Sequence, residues 1–357
     1  LGGLYVEDSK EYVSDEGAKL FKTVPSETLV MSFKLSIGKL AITKCELRTN
    51  EAIAALPIRD EKLITKEYLY YFLSSIDWNT LPGNDVKVKG KTLNKAKLKE
   101  ILILYPPLAE QKRIVAKLNA AFAEIDTAVV LATERCSRLK LALGSLVDLT
   151  LNELRSNFSS CLLGDMIEKV EYGTSTKCSQ TGTYPVLRMG NMQSGKFILD
   201  DLVYLDDTNE FKKYQVTSGD VFFNRTNSPL HVGKTAIYEG DEKFLFAGYL
   251  IRLKFSEEII DSKFLMYYLN APSTRKHGYS VMTSSVNQAN INGSKLKEYP
   301  FIRLDIDTQR FVRQKFEKIE IKLEEAIENV EQSLKEYSAL KSSILAQELQ
   351  PPLSDAA

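Results

Sequence analysis

The sequence is poor in the side chains that most often carry acid–base and metal chemistry. Its 357 residues include only two histidines, His231 and His277, so such chemistry would have to rest on carboxylates and lysines. The cysteines are scattered without a CxxC pair, a spacing that excludes a zinc site and favours free thiols in a reducing compartment. They are Cys45, Cys136, Cys161 and Cys178.

Long apolar runs and an excess of one charge are also missing. No run reaches the roughly eighteen apolar residues of a membrane-spanning helix, and no charged start with an apolar centre marks a signal peptide. We therefore expect a cytoplasmic protein. Lys plus Arg and Asp plus Glu each number 47, so any binding to nucleic acid must be local rather than an effect of the whole molecule.

Two catalytic patterns occur in part, and each lacks something that its chemistry needs. Val232–Thr235 ends like a phosphate-binding loop, but Ser228 stands where that loop needs glycine, so we reject ATP binding. Asp201, Glu210 and Lys212 loosely resemble the acidic-plus-lysine set of metal-dependent nucleases, but surface charge is the better interpretation. No glycine-rich S-adenosylmethionine loop, no Asn-Pro-Pro-aromatic tetrad and no credible Ser/His/Asp set is found. The sequence predicts no catalytic site.

What the chain does contain is two long helical segments. Between residues 106 and 155 only Gly144 interrupts a helical pattern, and apolar side chains recur in steps of three and four residues, with Arg135 as the one polar intruder. This pattern is typical of a coiled-coil seam. The predicted seam runs through Ile114, Leu118, Ala121, Ile125, Ala128, Ala132, Leu139, Ala142 and Leu146.

The second long segment covers residues 306–350. Its predicted seam consists of Ile319, Leu323, Ala326, Val330, Leu334, Tyr337 and Ile344. At ~1.5 Å per residue such a helix is roughly 65 Å long, which suits a spacer better than an ordinary globular helix. Because one chain contains two matched helices, we predict that they pair with each other as an antiparallel coiled coil.

The chain repeats itself with an offset of about 196 residues. An internal repeat of this length indicates two copies of a whole domain rather than a solenoid. The matching segments are Ile37–Ile42 with Val232–Ile237, Lys66–Leu73 with Ser262–Leu269, Lys97–Glu100 with Lys295–Glu298, and Gln111–Val115 with Gln309–Val312 after one deletion.

The predicted fold class is α+β, with two repeated mixed α/β domains separated by the two paired helices. We expect a first domain at 1–105, a long helix at 106–155, a second domain at 156–305, a second helix at 306–350 and a tail at 351–357. The aromatic stripes at 68–74 and 262–270 are interpreted as core. Gly3 aligns near Gly195, so the first domain is expected to lack a counterpart of residues 158–194.

Three motifs resemble a known family. PPLAEQKRIVAKL opens the first long helix, GDVFFNRTNS and VGKTAIY lie in the second domain, and SFKLSIGKLAI lies in the first. Together they resemble the DNA-specificity subunit of type I restriction–modification enzymes, and the likeness covers nearly the whole chain. The second helix departs from the pattern, because its opening LDIDTQRFV lacks Pro-Pro-Leu.

The resemblance implies a non-catalytic reader of double-stranded DNA. Each of two target-recognition domains would contact one half of a split site, while the helices set the spacing and dock the methyltransferase subunits, expected to number two. Separate restriction and motor subunits would cut. S-adenosylmethionine, ATP and magnesium are expected only in those partners, so we expect no cofactor here and no membrane partner. With the domains at opposite ends of a rod, ~65 Å would span at most about twenty base pairs.

Loop side chains are the expected DNA contacts, because arginine can read guanine, asparagine and glutamine can read adenine, and lysine neutralises phosphate. In the first domain the candidates are Lys34, Lys39, Lys87, Lys89, Lys91 and Asn94. In the second domain they are Lys177, Arg188, Asn191, Arg225, Asn227, Lys234, Asn287, Gln288, Asn290 and Asn292.

Three alternatives remain open at this point. The chain could be the recognition portion of a fused restriction–methylation enzyme. It could be a coiled-coil scaffold that holds proteins together without reading DNA. It could also be a nuclease built on Asp201, Glu210 and Lys212, which DNA cleavage with magnesium would reveal.

Overall fold

The structure is a computed structural model that divides into two compact units. Unit one comprises Leu1–Glu134 and Val330–Ala357, and unit two comprises Arg135–Asn329. The described residues are 3–9, 11–34, 36–78, 86–87, 90–91, 98–284 and 288–349, with the backbone alone at 86–87 and 90–91.

Unit one contains a four-stranded sheet in the order β1-β4-β3-β6, with β1 parallel to β4 and the other neighbours antiparallel. Strands β2 and β5 pair beside it, and β7 and β8 form a separate hairpin. The strands are Tyr5–Val6 (β1), Thr23–Val24 (β2), Leu29–Ser32 (β3), Leu40–Thr43 (β4), Leu47–Arg48 (β5), Ile53–Leu56 (β6), Val86–Lys87 (β7) and Gly90–Lys91 (β8), and the short helices are Asp15–Ala18 (α1) and Lys66–Ser74 (α2).

The two long helices contribute residues to both units. Helix α3 runs from Leu108 to Asn157, so it begins just after the Pro-Pro pair. Helix α8 runs from Ile306 to Leu349. No helix in the described part of the chain combines the length and apolarity needed to cross a membrane.

Unit two contains an antiparallel sheet in the order β10-β19-β15-β17, a three-stranded sheet β14-β11-β18, a second three-stranded sheet β16-β21-β20, and the pairs β12-β13 and β9-β22. The strands are Ser160–Leu162 (β9), Lys169–Tyr172 (β10), Tyr184–Leu187 (β11), Met192–Gln193 (β12), Lys196–Phe197 (β13), Val203–Leu205 (β14), Val221–Asn224 (β15), Thr226–Asn227 (β16), Thr235–Ile237 (β17), Leu245–Phe246 (β18), Leu250–Lys254 (β19), Thr283–Ser284 (β20), Ala289–Asn290 (β21) and Pro300–Ile302 (β22). The helices are Thr208–Tyr214 (α4), Ser262–Asn270 (α5), Pro272–Val281 (α6) and Gly293–Lys297 (α7), with 3-10 turns at Leu163–Asp165 and Met189–Asn191.

The backbone confirms the internal repeat. The strand order β4-β3-β6 in unit one matches β17-β15-β19 in unit two, and α2 corresponds to α5. In the first copy the Gly38 N–H donates to the Ser32 carbonyl at 3.0 Å, and in the second the Gly233 N–H donates to the Asn224 carbonyl at 2.7 Å. The two glycines have φ of 85° and 84°, a left-handed conformation that favours glycine. The turn that precedes β4 and the turn that precedes β17 are therefore the same.

Replacing Gly38 by alanine is expected to destabilise unit one by about 2–4 kcal/mol, because backbone strain and overpacking act together. A Cβ there would lie 2.1 Å from Cδ1 of the buried Trp78. Urea denaturation measures the change in unfolding free energy. Gly17→Ala is the control, since its Cβ would meet only ordinary contacts. Equal stability of the two variants would contradict the assigned turn.

A buried glutamine joins the start of α3 to α2. Gln111 has no exposed surface. Its Nε2 donates to the carbonyls of Leu63, at 2.7 Å, and Pro106, at 2.8 Å, and its Oε1 accepts from the Thr65 N–H at 2.9 Å. Thr65 is the N-cap of α2, so this one side chain fixes the short helix to the long one.

Gln309 repeats this arrangement at the start of α8. It is also fully buried, and it bonds the carbonyls of Ile259, at 2.7 Å, and Leu304, at 3.1 Å. Its Oε1 accepts from the N–H of Asp261, the N-cap of α5, at 3.0 Å. The start of α8 lacks the Pro-Pro-Leu found before α3, but it contains the glutamine that fixes the short helix to the long one.

The aromatic stripes are core, as the sequence predicted. Helix α2 buries Tyr68 and Tyr71, and α5 buries every residue from Phe264 to Leu269. Burial raises the pKa of the Tyr71 hydroxyl. That hydroxyl donates to Oδ1 of Asn119 on α3 at 2.5 Å. In the second copy the Tyr267 hydroxyl similarly donates to a carboxylate on α8.

The predicted seam of α8 is buried or half-buried throughout, but that of α3 needs a correction. Arg135 points to solvent, and Cys136 takes the buried place beside it. The seam then continues through Leu143, Val147 and Leu151, while Leu146 is 39% exposed. The buried seam shifts by one residue along α3. A straight α-helix has ~3.6 residues per turn, so its buried face does not follow a strict seven-residue repeat.

The helices pair in opposite directions within unit one. Lys117 on α3 contacts Glu348 on α8 at 2.6 Å, and Asp126, further along α3, contacts Lys341, which lies earlier on α8. Ile114 and Leu118 pack in one apolar cluster with two aliphatic side chains from the end of α8, Leu345 and Leu349. The predicted antiparallel pairing is confirmed there.

Candidate nucleic-acid interface

Four of the predicted contact residues line one groove of unit two. Lys177, Arg188, Arg225 and Asn290 come from four separate parts of the chain and border an open space of about 730 Å³. The remaining wall, which completes what we call the groove, consists of Thr174–Thr176, Cys178, Gln180, Val203, Thr226 and Ala247–Tyr249.

Arg225 is held in the groove by its backbone and by one aromatic ring. It follows β15 directly, and its backbone N–H donates to the Tyr249 carbonyl at 3.0 Å. Its guanidinium carbon lies 4.7 Å from the centre of the Tyr172 ring, a cation–π contact that leaves the donor edge free. Nε is buried and has no partner among the described residues. A buried donor without a protein acceptor is open to a water or to a ligand group.

Arg188 stands at the other side of the groove with one carboxylate partner. Its Nη2 donates to Oδ2 of Asp201 at 3.0 Å and to the Asp201 carbonyl at 3.2 Å. Nε has no partner among the described residues. Asp201 is largely exposed, so solvent weakens this ion pair, and a stronger anion could compete for Arg188.

Lys177 belongs to a loop that is fixed at its base and exposed at its tip. The Thr174 N–H donates to the Phe246 carbonyl at 2.9 Å. The hydroxyls of Thr174 and Thr176 both donate to the Glu210 carboxylate. Glu210 is thereby engaged in holding the loop, and the exposed Lys177 ammonium has no ion-pair partner in the described part of the chain.

Asn290 presents an acceptor to the groove. Its Nδ2 donates to Oγ1 of Thr226 on the neighbouring strand β16 at 2.7 Å. This bond fixes the amide, and its Oδ1 has no hydrogen-bond partner within the described ranges of the chain. The burial of Cys178 in the same wall raises the pKa of its thiol.

Three other predicted amides have partners inside unit two. Asn191 is buried, accepts from the Arg188 N–H at 2.9 Å and donates to two backbone carbonyls, so it positions Arg188. Asn227 accepts from the next backbone N–H at 2.8 Å. Asn292 caps helix α7 by accepting from the Lys295 N–H at 2.9 Å. Gln288 is exposed, and Asn287 lies outside the described residues.

Lys234 lies in another cavity. It borders a space of about 400 Å³ together with Lys140, Arg275 and Glu320. Burial and the neighbouring Arg275 lower the pKa of the Lys234 ammonium. Burial, followed by those two cations, also lowers the pKa of His231. The structure therefore does not bring Lys234 together with the groove residues.

The first-domain candidates are less completely described. Lys34 forms an exposed ion pair with Glu51 at 3.3 Å, and Lys39 is exposed. Lys87 and Lys91 lie on the β7–β8 hairpin, where the structure describes only the backbone. Lys89 and Asn94 lie outside the described residues.

Sequence reasoning missed the two aromatic residues of the site. Tyr172 supports Arg225, and its hydroxyl accepts from the Gly293 N–H at 2.9 Å. Tyr249 is half exposed in the groove wall. Gly173, which precedes the loop, is the residue in the sequence that could have pointed to this site. A Cβ at this position would lie 2.1 Å from the Phe246 carbonyl oxygen. A close backbone contact of this kind requires glycine.

The duplicated α+β fold, the paired helices and the basic, amide-bearing groove together have the features of a recognition module. The comparison with protein families agrees with this. The family model described as the type I restriction modification DNA specificity domain matches residues 5–129 and 156–332. The chain belongs to this family.

Individual relatives are distant. The EcoKI specificity subunit of Escherichia coli (strain K12) is 24% identical over 306 residues, which is 81% of this chain and 66% of that protein. The chain thus spans slightly less than two thirds of that relative's length. A chain from the structural study of complex assembly and conformational transition of the type I R-M system has a TM-score of 0.69 at 14% identity, covering 93% of this chain and 84% of that one. The HsdS subunit from Thermoanaerobacter tengcongensis has a TM-score of 0.50 at 15% identity, covering 93% and 83%.

Proposed function

We propose that this chain is the sequence-reading subunit of a type I restriction–modification complex. It reads a two-part site in double-stranded DNA, with one recognition domain for each part. The chain itself is non-catalytic and needs no cofactor. Two methyltransferase subunits and the restriction and motor subunits dock on it in the cytoplasm. Its domains are residues 1–105 and 156–305, joined by the spacer helices 106–155 and 306–350.

The observation that carries this proposal is the groove of unit two. It combines two arginines whose buried Nε groups have no partner in the described part of the chain, an exposed lysine and an oriented amide. The planar guanidinium of Arg225 matches the two acceptors on the major-groove edge of guanine. The free Oδ1 of Asn290 suits an amino donor such as that of adenine or cytosine. Lys177 suits a backbone phosphate, which gives affinity without sequence information.

The two carboxylates of the nuclease alternative make other contacts in this structure. Asp201 pairs with Arg188, and Glu210 accepts from Thr174 and Thr176. Among the described residues no group of three or more metal-binding side chains lies together. These contacts support surface and loop-fixing roles for both carboxylates.

Sequencing of methylated bases in a host that carries the gene with its own methyltransferase subunit tests the function. We expect a two-part motif with a modified adenine that disappears when this gene alone is deleted. A methylation pattern that is independent of the gene would contradict the proposal. Cleavage of duplex DNA by the isolated chain with magnesium would contradict the non-catalytic role.

Replacing Lys177 by alanine is expected to weaken binding to all duplexes alike. Removing one phosphate contact should lower the slope of log affinity against log salt concentration by about 1. Fluorescence anisotropy of the reconstituted complex at several salt concentrations measures this slope. Lys318→Ala is the control, because Lys318 is exposed on α8, which contributes no residue to the groove. An unchanged slope in Lys177→Ala would remove this residue from the interface.

A further inference from the structure

The cavity of unit two that Lys234 borders has a wall that is partly nonpolar and partly cationic. We call it the second cavity, and it shares no lining residue with the groove. Its volume of about 400 Å³ lies within the range of small-molecule sites. Lys234 and Arg275 belong to the cationic part. The nonpolar part consists of Leu143, Val147, Met192, Met266, Tyr267 and Ala271.

The two cations lie close to each other, and each has a group that is open to an anion. Burial and Arg275 together lower the pKa of the Lys234 ammonium, which has no ion pair or hydrogen bond in the described part of the chain. Nη2 of Arg275 donates to the Leu230 carbonyl at 3.0 Å, which holds the guanidinium in place. Nη1 is buried and has no partner within the described ranges. Buried charges are normally paired, so this arrangement favours an anion that contacts both cations.

The carboxylate in the same wall has another partner. Glu320 on α8 lines the second cavity and accepts a hydrogen bond from the Tyr267 hydroxyl. No salt bridge joins Glu320 to Lys234 or Arg275.

The first repeat shows that the fold does not need a cation at the position of Arg275. Gly38 and Gly233 occupy equivalent turns, and one side chain packs against each of them. A Cβ at Gly38 would lie 2.1 Å from Cδ1 of Trp78, and a Cβ at Gly233 would lie 2.8 Å from Nη1 of Arg275. An indole in unit one therefore covers the turn that a guanidinium covers in unit two. Packing of the turn does not account for the charge of Arg275.

We propose that the second cavity binds a small organic anion, a phosphate or carboxylate group on a nonpolar body. The anionic group would accept charge-assisted hydrogen bonds from the Lys234 ammonium and from Nη1 of Arg275. The nonpolar body would lie against Met192 and Met266, whose flexible thioether side chains adapt to the shape of a ligand. Binding would neutralise the repulsion between the two cations.

A backbone phosphate of DNA is a weaker candidate for this cavity. Duplex DNA carries one negative charge per ~1.7 Å of its axis, so further charges accompany any phosphate that enters. The nonpolar part of the wall and the Glu320 carboxylate both disfavour such a chain of charges. A single anionic group with a nonpolar body matches both parts of the wall.

The test uses the full-length chain with ¹³C-labelled methionine methyl groups and phenyl phosphate as the probe. We expect saturable one-to-one binding that shifts the methyl signals of Met192 and Met266. The signal of Met31, which is buried in unit one, should stay unchanged. Phenol and inorganic phosphate each have only one of the two parts of the probe, so each should bind at least tenfold more weakly.

Two variants test the cations. Lys234→Gln and Arg275→Gln should each weaken phenyl phosphate binding about tenfold or more, because each loses one charge-assisted hydrogen bond. Lys276→Gln is the matched control, since Lys276 is exposed next to Arg275 on α6 and does not line the cavity. Circular dichroism and urea denaturation establish that the variants fold.

Three results would overturn the proposal: no binding of phenyl phosphate, binding that leaves the Met192 and Met266 signals unchanged, or native affinity in both glutamine variants. Inorganic phosphate that binds as tightly as phenyl phosphate would also overturn it. Displacement of the probe by a short DNA duplex would identify a backbone phosphate as the occupant, with the same consequence. The experiment includes no methyltransferase and measures no methylation, so its failure is distinct from a failure of the proposed function.

Discussion

Replacement of Gln309 by leucine should destabilise unit two by about 3–5 kcal/mol, because each buried polar group left without a partner costs roughly 1–3 kcal/mol. Leucine fills much of the same space but can neither donate nor accept. The carbonyls of Ile259 and Leu304 and the N–H of Asp261 would lose their partner together. Urea denaturation measures the global loss, and faster hydrogen exchange at the Asp261 amide locates it.

The same helix offers a matched control. Gln314 is exposed one turn further along α8, and Gln314→Leu should change the unfolding free energy by no more than about 0.5 kcal/mol. Gln111→Leu should reproduce the large loss in unit one, because Gln111 makes the equivalent three bonds. A small effect of both buried substitutions would show that the joint between short and long helix does not depend on these side chains.

Replacement of Arg225 by alanine should remove sequence preference at one base pair while leaving most of the general affinity for DNA. One bidentate arginine–guanine pair contributes ~1–3 kcal/mol of discrimination, which corresponds to roughly 5- to 150-fold. Competition between matched duplexes that differ at single positions measures this ratio for the reconstituted complex. The salt slope should fall by about 1 at most, since only one charge is removed.

Two further variants distinguish base recognition by Arg225 from a simple effect of its positive charge. Arg225→Lys keeps the cation but loses the planar fork, so its discrimination should resemble that of the alanine variant while its salt slope resembles the native one. Arg310→Ala removes an exposed arginine of α8 outside the groove and should alter neither quantity. If Arg225→Lys discriminates as well as the native chain, then Arg225 acts through its charge alone.

Periodicity predicted the parts of the fold that depend on a repeated pattern. The two helices, their antiparallel pairing and the duplicated domain all follow from apolar spacing or from matched segments. The seam of α3 shifts by one residue at Arg135, and only the packing shows that Cys136 is the buried side chain there. The partners of short strands such as β9 and β22 lie too far apart in sequence for any local signal.

Residue type alone predicted the site less well. Asn191, Asn290 and Asn292 are chemically identical, yet the first positions a loop, the second faces the groove and the third caps a helix. The hydrogen-bond partner decides among these roles, and the partner becomes visible only in the folded chain. The role of Tyr172 was not predicted, because an aromatic residue on a strand usually belongs to the core. In the structure its ring instead makes a cation–π contact with the Arg225 guanidinium.

The central claim is that each recognition domain reads its own half of a two-part site. Exchanging residues 156–305 for the corresponding region of the E. coli relative, followed by sequencing of methylated bases in the host, tests it most directly. The account predicts a hybrid motif in which one half changes to new bases and the other half stays the same. A motif that changes in both halves, or in neither, would contradict it.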